Sequence, residues 1–190
     1  LGVFEPIVQD TLRDRGILGT SILWFEHGPY APIPPEDYRR LCLTAVTTHD
    51  LPPTLGYLAG DHIALRSALG LLETGKEAER ARDARDRDAV LKLAVDRGLL
   101  LDDAELVDRT TVEALYRLIA RSPSILLSVA LVDAVGERRI QNQPGTTGDQ
   151  YPNWRIPLAD DTGDVVLVED LVGHPRFTSL IEALTARPSS

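Results

Sequence analysis

The 190 residues are 43% hydrophobic and 26% charged, which suits one globular domain or part of a larger one and argues against a disordered chain. A net charge of −9 repels nucleic-acid phosphates and anionic membrane surfaces, so neither is expected as a partner. The single cysteine, Cys42, excludes an internal disulfide framework and a multi-cysteine zinc site.

Taken in chain order, Leu1-Gly2-Val3-Phe4-Glu5-Pro6 has neither the basic nor the apolar character of a secretory leader. No apolar run reaches the roughly 20 residues that span a bilayer. The absence of a leader and of cysteine pairs favours the cytoplasm. The chain holds no methionine, so Leu1 is read as lying after a removed segment or within a longer protein. Glu5 to Arg15 predicts a short helix stopped by Gly16. Ile17 to Phe25 is a strand candidate, followed by a proline-rich loop over 26–35 and a short helix from Pro35 to Arg40. Leu41 to Thr48 is a second strand, in which Cys42 reads as a buried, inert thiol, and it leads into His49-Asp50 and Leu51-Pro52-Pro53.

Thr54 to Leu72 has helical character. Lys76 to Asp88 carries ten charged residues in thirteen, with Arg82/Asp86 and Asp83/Arg87 spaced four apart. This reads as a solvated helix face laced by ion pairs. The helix continues through Val95 and stops near Gly98. Thr110 and Glu113 fit a capping box that opens a helix to about Arg121. Ile125 to Val132 is almost unbroken apolar sequence, as expected of a strand buried on both faces, with Asp133 at its end. A Gly/Pro/Thr loop covers 143–152, Val165 to Val168 is extended, and a last helix follows His174-Pro175 to about Leu184. Residues 186–190 read as a frayed tail.

Strands separated by helices predict an α/β fold with a parallel sheet and crossover connections. In such sheets ligands gather at the carboxyl ends of the strands. Phe25-Glu26, His49-Asp50 and Asp133 occupy that position. At His49-Asp50 a carboxylate could hold two sugar hydroxyls or stabilise developing positive charge, and the imidazole could donate to a hydroxyl. Alternatively, Asp50 could cap the following helix. Asn142 to Thr147, followed by Tyr151-Pro152-Asn153-Trp154-Arg155, offers amides, a glycine turn and aromatic rings suited to a neutral polyhydroxylated ligand. Composition favours the other reading, a structured turn with Trp154 packed in a core. His27, His49, His62 and His174 show no metal-ligand spacing, and neither a nucleotide-binding glycine motif nor a G-x-S-x-G elbow is present. No metal or cofactor is expected.

Three stretches resemble the carboxyl-terminal part of the 4-alpha-glucanotransferases, the amylomaltase or disproportionating enzyme family. They are Gly16-Ile17-Leu18-Gly19-Thr20 through Leu23-Trp24-Phe25-Glu26, then Val46-Thr47-Thr48-His49-Asp50-Leu51-Pro52, then Pro144-Gly145-Thr146-Thr147 with Tyr151-Pro152-Asn153-Trp154-Arg155. Pro53 departs from the family pattern by adding a residue to the turn. The resemblance implies the carboxyl-terminal portion of a (β/α)8 barrel with inserted helices, about three of its core strands lying within residues 1–190. It implies transfer of alpha-1,4-glucan segments between maltodextrins through a glycosyl-enzyme intermediate, with two carboxyls about 5–5.5 Å apart. By motif match Asp50 is a third carboxylate that stabilises the transition state, and His49 is its sugar-binding neighbour. Asn142, Pro144 and Gly145 match a segment lining the donor-sugar pocket. The family's acid/base glutamate stands in an E-D-L-G motif, and Leu1-Gly2 matches only its last two letters. No residue matches the nucleophile or the acid/base, so the chain by itself is expected to be inactive. The alternative is a noncatalytic carbohydrate-binding or half-barrel interaction module.

Overall fold

In a computed structural model, which describes residues 6–185, three short parallel strands form one sheet in the order β1-β2-β3. These are β1 (Gly19–Ile22), β2 (Cys42–Ala45) and β3 (Leu126–Ser128). Gly19 stands opposite Cys42 and Leu43 opposite Leu126, so all three strands present their carboxyl ends to the same edge. Cys42 is fully buried, its Sγ 3.3 Å from Ser21 Oγ.

Both expected early strands are shorter than their apolar runs. After Ile22 the chain turns into a 3-10 helix, Leu23–Phe25, which buries Leu23 and sets the Trp24 ring 4.5 Å from Tyr57. Pro35–Asp37 is likewise a single 3-10 turn rather than a helix to Arg40. The expected strand over 125–132 divides. Only Leu126–Ser128 pairs, and Leu131–Val135 is helical. Nor is it buried on both faces: Leu126 is 48% and Leu127 39% exposed, because among the described residues only β2 flanks this strand.

The helices are α1 (Pro6–Asp14), α2 (Thr54–Ala59), α3 (Asp61–Ala68), α4 (Lys76–Val95), α5 (Arg109–Ile119), α6 (Leu131–Val135) and α7 (Pro175–Thr185). The expected helix over 54–72 breaks at Gly60, whose φ of +75° is open to glycine and costly for other residues. The amphipathic α5 is the centre of the core. Its Leu115, Tyr116, Leu118 and Ile119 are fully buried and belong to one cluster with Val46, Leu58 and Leu180. The cap of α5 is Asp108, whose carboxylate accepts from Thr110 N at 3.1 Å and Thr110 Oγ1 at 2.6 Å, so Thr110 is not the cap. Glu113 does not close a capping box either. It is buried and accepts from Ser179 Oγ at 2.6 Å, tying α5 to α7. Val165 makes a single antiparallel bridge with Ala159, and Val168–Gly173 is a 3-10 segment. Glu5 and the expected tail over 186–190 lie outside the described residues. Among those described, no helix is long and apolar enough to cross a membrane.

An ion cluster ties the 35–37 turn to the helices. Arg97 grips Glu36 with both fork nitrogens at 2.8 Å, and Arg121 Nε adds a third contact at 2.7 Å. The Arg97 fork, with help from Arg121, outweighs the upward push of burial and holds the Glu36 carboxyl down at about 2. A depressed carboxylate pKa stabilises the fold above its unfolded value, and the benefit is lost as pH falls through the folded value. The window therefore runs from about 4.5 down to about 2. Glu36→Gln is expected to flatten the fall of Tm with acid across that window. Parallel Tm–pH curves for both proteins would contradict this.

Candidate functional site

The site is built on two connections. The first leaves β2 through buried Val46 and Thr47. Thr47 Oγ1 donates to the Pro52 carbonyl at 3.0 Å, closing the mouth of a turn that contains His49, Asp50 and Leu51. Within it Asp50 N–H donates to Thr48 Oγ1 at 3.3 Å and Leu51 N–H to the Thr48 carbonyl at 3.2 Å. Asp50 thus stands in a braced turn past the strand end. It does not cap α2; the Thr54 N–H that opens α2 is taken by Asp133.

The second connection follows α6. Glu137 is buried and accepts the backbone N–H groups of Arg138, Arg139 and Ala159, plus the Arg139 guanidinium. Burial would raise the Glu137 carboxyl, but Arg139 and those N–H groups hold it below its ordinary value. This brace directs the chain toward Asn142, whose Nδ2 donates to Asp50 Oδ1 at 2.6 Å. His49 Nε2 lies 3.4 Å from the other oxygen, Oδ2. A carboxylate only accepts, which orients the Asn142 amide with nitrogen toward it. Asp50 is thereby fixed on one oxygen and remains half-buried, its other oxygen beside an exposed imidazole.

The expected packing of Trp154 in a core is overturned. Trp154 is 63% exposed, and its ring centroid stands 5.3 Å from that of His49. Its backbone has φ +61° and its N–H donates to the Gln141 carbonyl at 2.9 Å. A bulky side chain in the left-handed region is strained, and such strain persists only where the surroundings impose it. Those surroundings are a braced loop. Asn153 Oδ1 accepts from Gln143 N–H at 2.7 Å, Asn153 Nδ2 donates to Thr146 Oγ1 at 2.9 Å, and Tyr151 OH donates to the Ile140 carbonyl at 2.6 Å. Much of the P-G-T and Y-P-N-W-R blocks is therefore scaffold for the display of Asn142 and Trp154.

The His49-Asp50-Leu51 turn separates two recesses. One, of about 600 Å³, is lined by Asp50, Phe25, Tyr57, His62, Asp83 and Pro144, among others. The other, of about 620 Å³, contains His49, Trp154, Gln141 and the carboxyl ends of the strands. Leu51 borders both. Gly145 is not among the residues lining the recess that holds Pro144; it turns the loop with φ +82°. Of the three expected strand-end positions, Phe25 and His49-Asp50 reach the recesses. Asp133 does not: it lies in α6, buried against Thr54 and Tyr116. Nor do the expected pairs Arg82/Asp86 and Asp83/Arg87 form. Asp83 instead meets His62 Nε2 at 3.3 Å, and His62 stacks on Tyr57 with ring centroids 5.0 Å apart. Tyr57, His62 and Asp83 carried no separate signal in the sequence, because the contacts that unite them cross three helices.

The family model for 4-alpha-glucanotransferase matches residues 1–162. The chain belongs to that family. The 4-alpha-glucanotransferases of Mycobacterium bovis and Mycobacterium tuberculosis are each 53% identical to it over 195 aligned residues, which take in 100% of this chain and 27% of theirs. The crystal structure of amylomaltase from Corynebacterium glutamicum matches with a TM-score of 0.89 at 49% identity, covering 97% of this chain and 28% of that one. Amylomaltase from Streptococcus agalactiae in complex with acarbose shares the fold, with a TM-score of 0.54 at 19% identity over 97% of this chain and 30% of that one. The chain thus spans about a quarter of the length of these relatives. Its three parallel strands and their helices are part of the (β/α)8 barrel of the glucanotransferase family.

Proposed function

We propose that the intact protein transfers alpha-1,4-glucan segments between maltodextrins by a retaining double displacement, and that Asp50 is its transition-state-stabilising carboxylate. The observation that carries this is the 2.6 Å bond from Asn142 to Asp50 beside His49, at the carboxyl edge of a parallel sheet of this family. Positive charge builds on the sugar ring as the glycosidic bond breaks. A carboxylate already oriented by Asn142 stabilises that charge without reorganising. His49 donates to a ring hydroxyl, Pro144 lines the donor pocket on the loop that Gly145 turns, and Trp154 stacks on a sugar face. The nucleophile and the acid/base come from outside these 190 residues, so the chain alone does not turn over.

The test is incubation of the intact protein with maltotriose. Glucose together with products longer than maltotriose is expected. Glucose and maltose without longer products would mean hydrolysis, and binding without any products would favour a noncatalytic carbohydrate-binding module. A stacking role for Trp154 gives a second check. Trp154→Ala is expected to raise KM about tenfold, the equivalent of roughly 1–1.5 kcal/mol of stacking. An unchanged KM would remove the ring from the binding surface.

A further inference from the structure

Asp133 is a carboxylate in the interior that the glucan site does not touch, and its contacts lead to the turn that carries Asp50. Its Oδ1 accepts from Thr54 N–H at 2.7 Å. Its Oδ2 accepts from Thr54 Oγ1 at 2.6 Å and from Tyr116 OH at 2.8 Å. The Tyr116 hydroxyl in turn accepts from Ala130 N–H at 3.1 Å. Asp133, Thr54 and Tyr116 are all buried. One carboxyl group therefore joins the start of α2, the middle of α5 and the connection from β3 to α6.

Burying a carboxylate is costly unless its partners are well placed. A helix start is ordinarily satisfied by a polar side chain at the cap itself. Here the cap position is Pro53, which has no polar side-chain group to offer, and the N–H of Thr54 is satisfied from 79 residues away. A local cap would satisfy α2 without fixing its place against anything else. A remote one fixes the place of Thr54 against α5 and α6. Leu51, Pro52 and Pro53 join Thr54 to Asp50, and the two prolines lock two of the φ angles along this short path, which limits how much of a displacement at Thr54 it absorbs. The mouth of the turn is closed by the Thr47–Pro52 bond, which carries the constraint back to β2.

We propose that Asp133 is a positioning residue for Asp50, acting through Thr54 and the Pro52-Pro53 segment. The proposal rests on the transferase reading given above. Asp133 touches no substrate; it holds the turn at the register in which Asp50 meets Asn142.

The experiment measures kcat and KM of the intact protein on maltotriose for Asp133→Asn, Thr54→Val, Asp50→Asn and the double variant Asp50→Asn/Asp133→Asn. Rates are taken per folded molecule, judged by circular dichroism at the assay temperature. Asp133→Asn keeps the side chain's shape, and the Thr54 and Tyr116 hydroxyls can rotate to accept from the new amide. It is expected to lower kcat about 10- to 100-fold, the cost of a small misplacement of a catalytic group, with KM nearly unchanged. Thr54→Val, which removes one of the three bonds and leaves the carboxylate in place, is expected to lower kcat in the same direction by less. The double variant is expected to be no slower than Asp50→Asn, because Asp133 has nothing left to position. An unchanged kcat per folded molecule in both Asp133→Asn and Thr54→Val, or losses that multiply in the double variant, overturns the proposal and leaves Asp133 a purely structural group. An unchanged kcat in Asp50→Asn is a different result: it overturns the role of Asp50 itself.

Discussion

In the intact protein, on the transferase reading proposed above, Asp50→Asn is expected to lower kcat about 10²- to 10³-fold on maltotriose, with KM changed by no more than about twofold. Asparagine keeps the size and planarity of the side chain, so the turn braced by Thr47 and Thr48 has no reason to move. What disappears is the negative charge. In the ground state the sugar ring is neutral and its hydroxyls bond to an amide nearly as well as to a carboxylate. In the transition state the ring carries positive charge, and only the carboxylate opposes it. An interaction that strengthens at the transition state appears in kcat rather than in KM. Asn142 increases the effect: its 2.6 Å bond holds one carboxylate oxygen in place, so no reorganisation is needed when the charge develops. Near-normal turnover in Asp50→Asn would falsify the role.

Gly56→Ala is expected to be strongly destabilising and to damage the site as well. A Cβ at position 56 would stand 2.3 Å from the Arg138 carbonyl oxygen and 3.2 Å from its carbon. Both are backbone atoms, so neither can swing aside. Either α2 or the 137–142 segment must move. Those two pieces of chain carry the halves of the site, because α2 follows the Asp50 turn and the 138 segment leads to Asn142. Overpacking of this kind costs about 1–3 kcal/mol, which lowers Tm. The Asn142–Asp50 bond is the first casualty of a separation of about 1 Å, since hydrogen bonds of this type end near 3.2 Å. Thermal melts and kcat on the intact protein test both parts. A Tm equal to that of the unchanged protein would show that α2 does not press on Arg138.

The elements themselves were legible unevenly, for a physical reason. Helices with strong local signals lie close to their expected spans: α4 runs through its charged face to Val95, and α7 starts at Pro175 itself, one residue ahead of the expected start after His174-Pro175. Apolar runs predict strands throughout their length, and the structure keeps only part of each as strand. Leu23–Phe25 and Leu131–Val135 are as apolar as the strands before them, yet both coil. Apolarity reports burial, and a buried segment can be helix or strand alike. The sequence points to Thr110 as the cap of α5 and the structure uses Asp108; both are good capping residues, and only geometry chooses between them.

The site was legible where chemistry is local and hidden where it is not. His49 and Asp50 are adjacent in the chain, and their placement at a strand end followed from the pattern of elements. Asn142 stands out in the sequence only through the family resemblance; its bond to Asp50 spans 92 residues, a separation that composition and spacing do not register. Composition favours a core position for Trp154, where a tryptophan has most to gain. A left-handed backbone and the Asn153–Thr146 brace turn it outward instead. Asp83 was one of ten charges in a solvated run until α3 placed His62 beside it.

The sequence by itself determined the α/β class, the charge, the family and the His49-Asp50 turn, all of which depend on residues close together in the chain or on motifs in fixed order. The tertiary structure alone decided that Asn142 orients Asp50, that Trp154 faces outward and that Asp133 joins three elements from inside the core. Each of those contacts is made across helices and strands whose packing sets the distance, and a hydrogen bond is made or lost within a few tenths of an ångström.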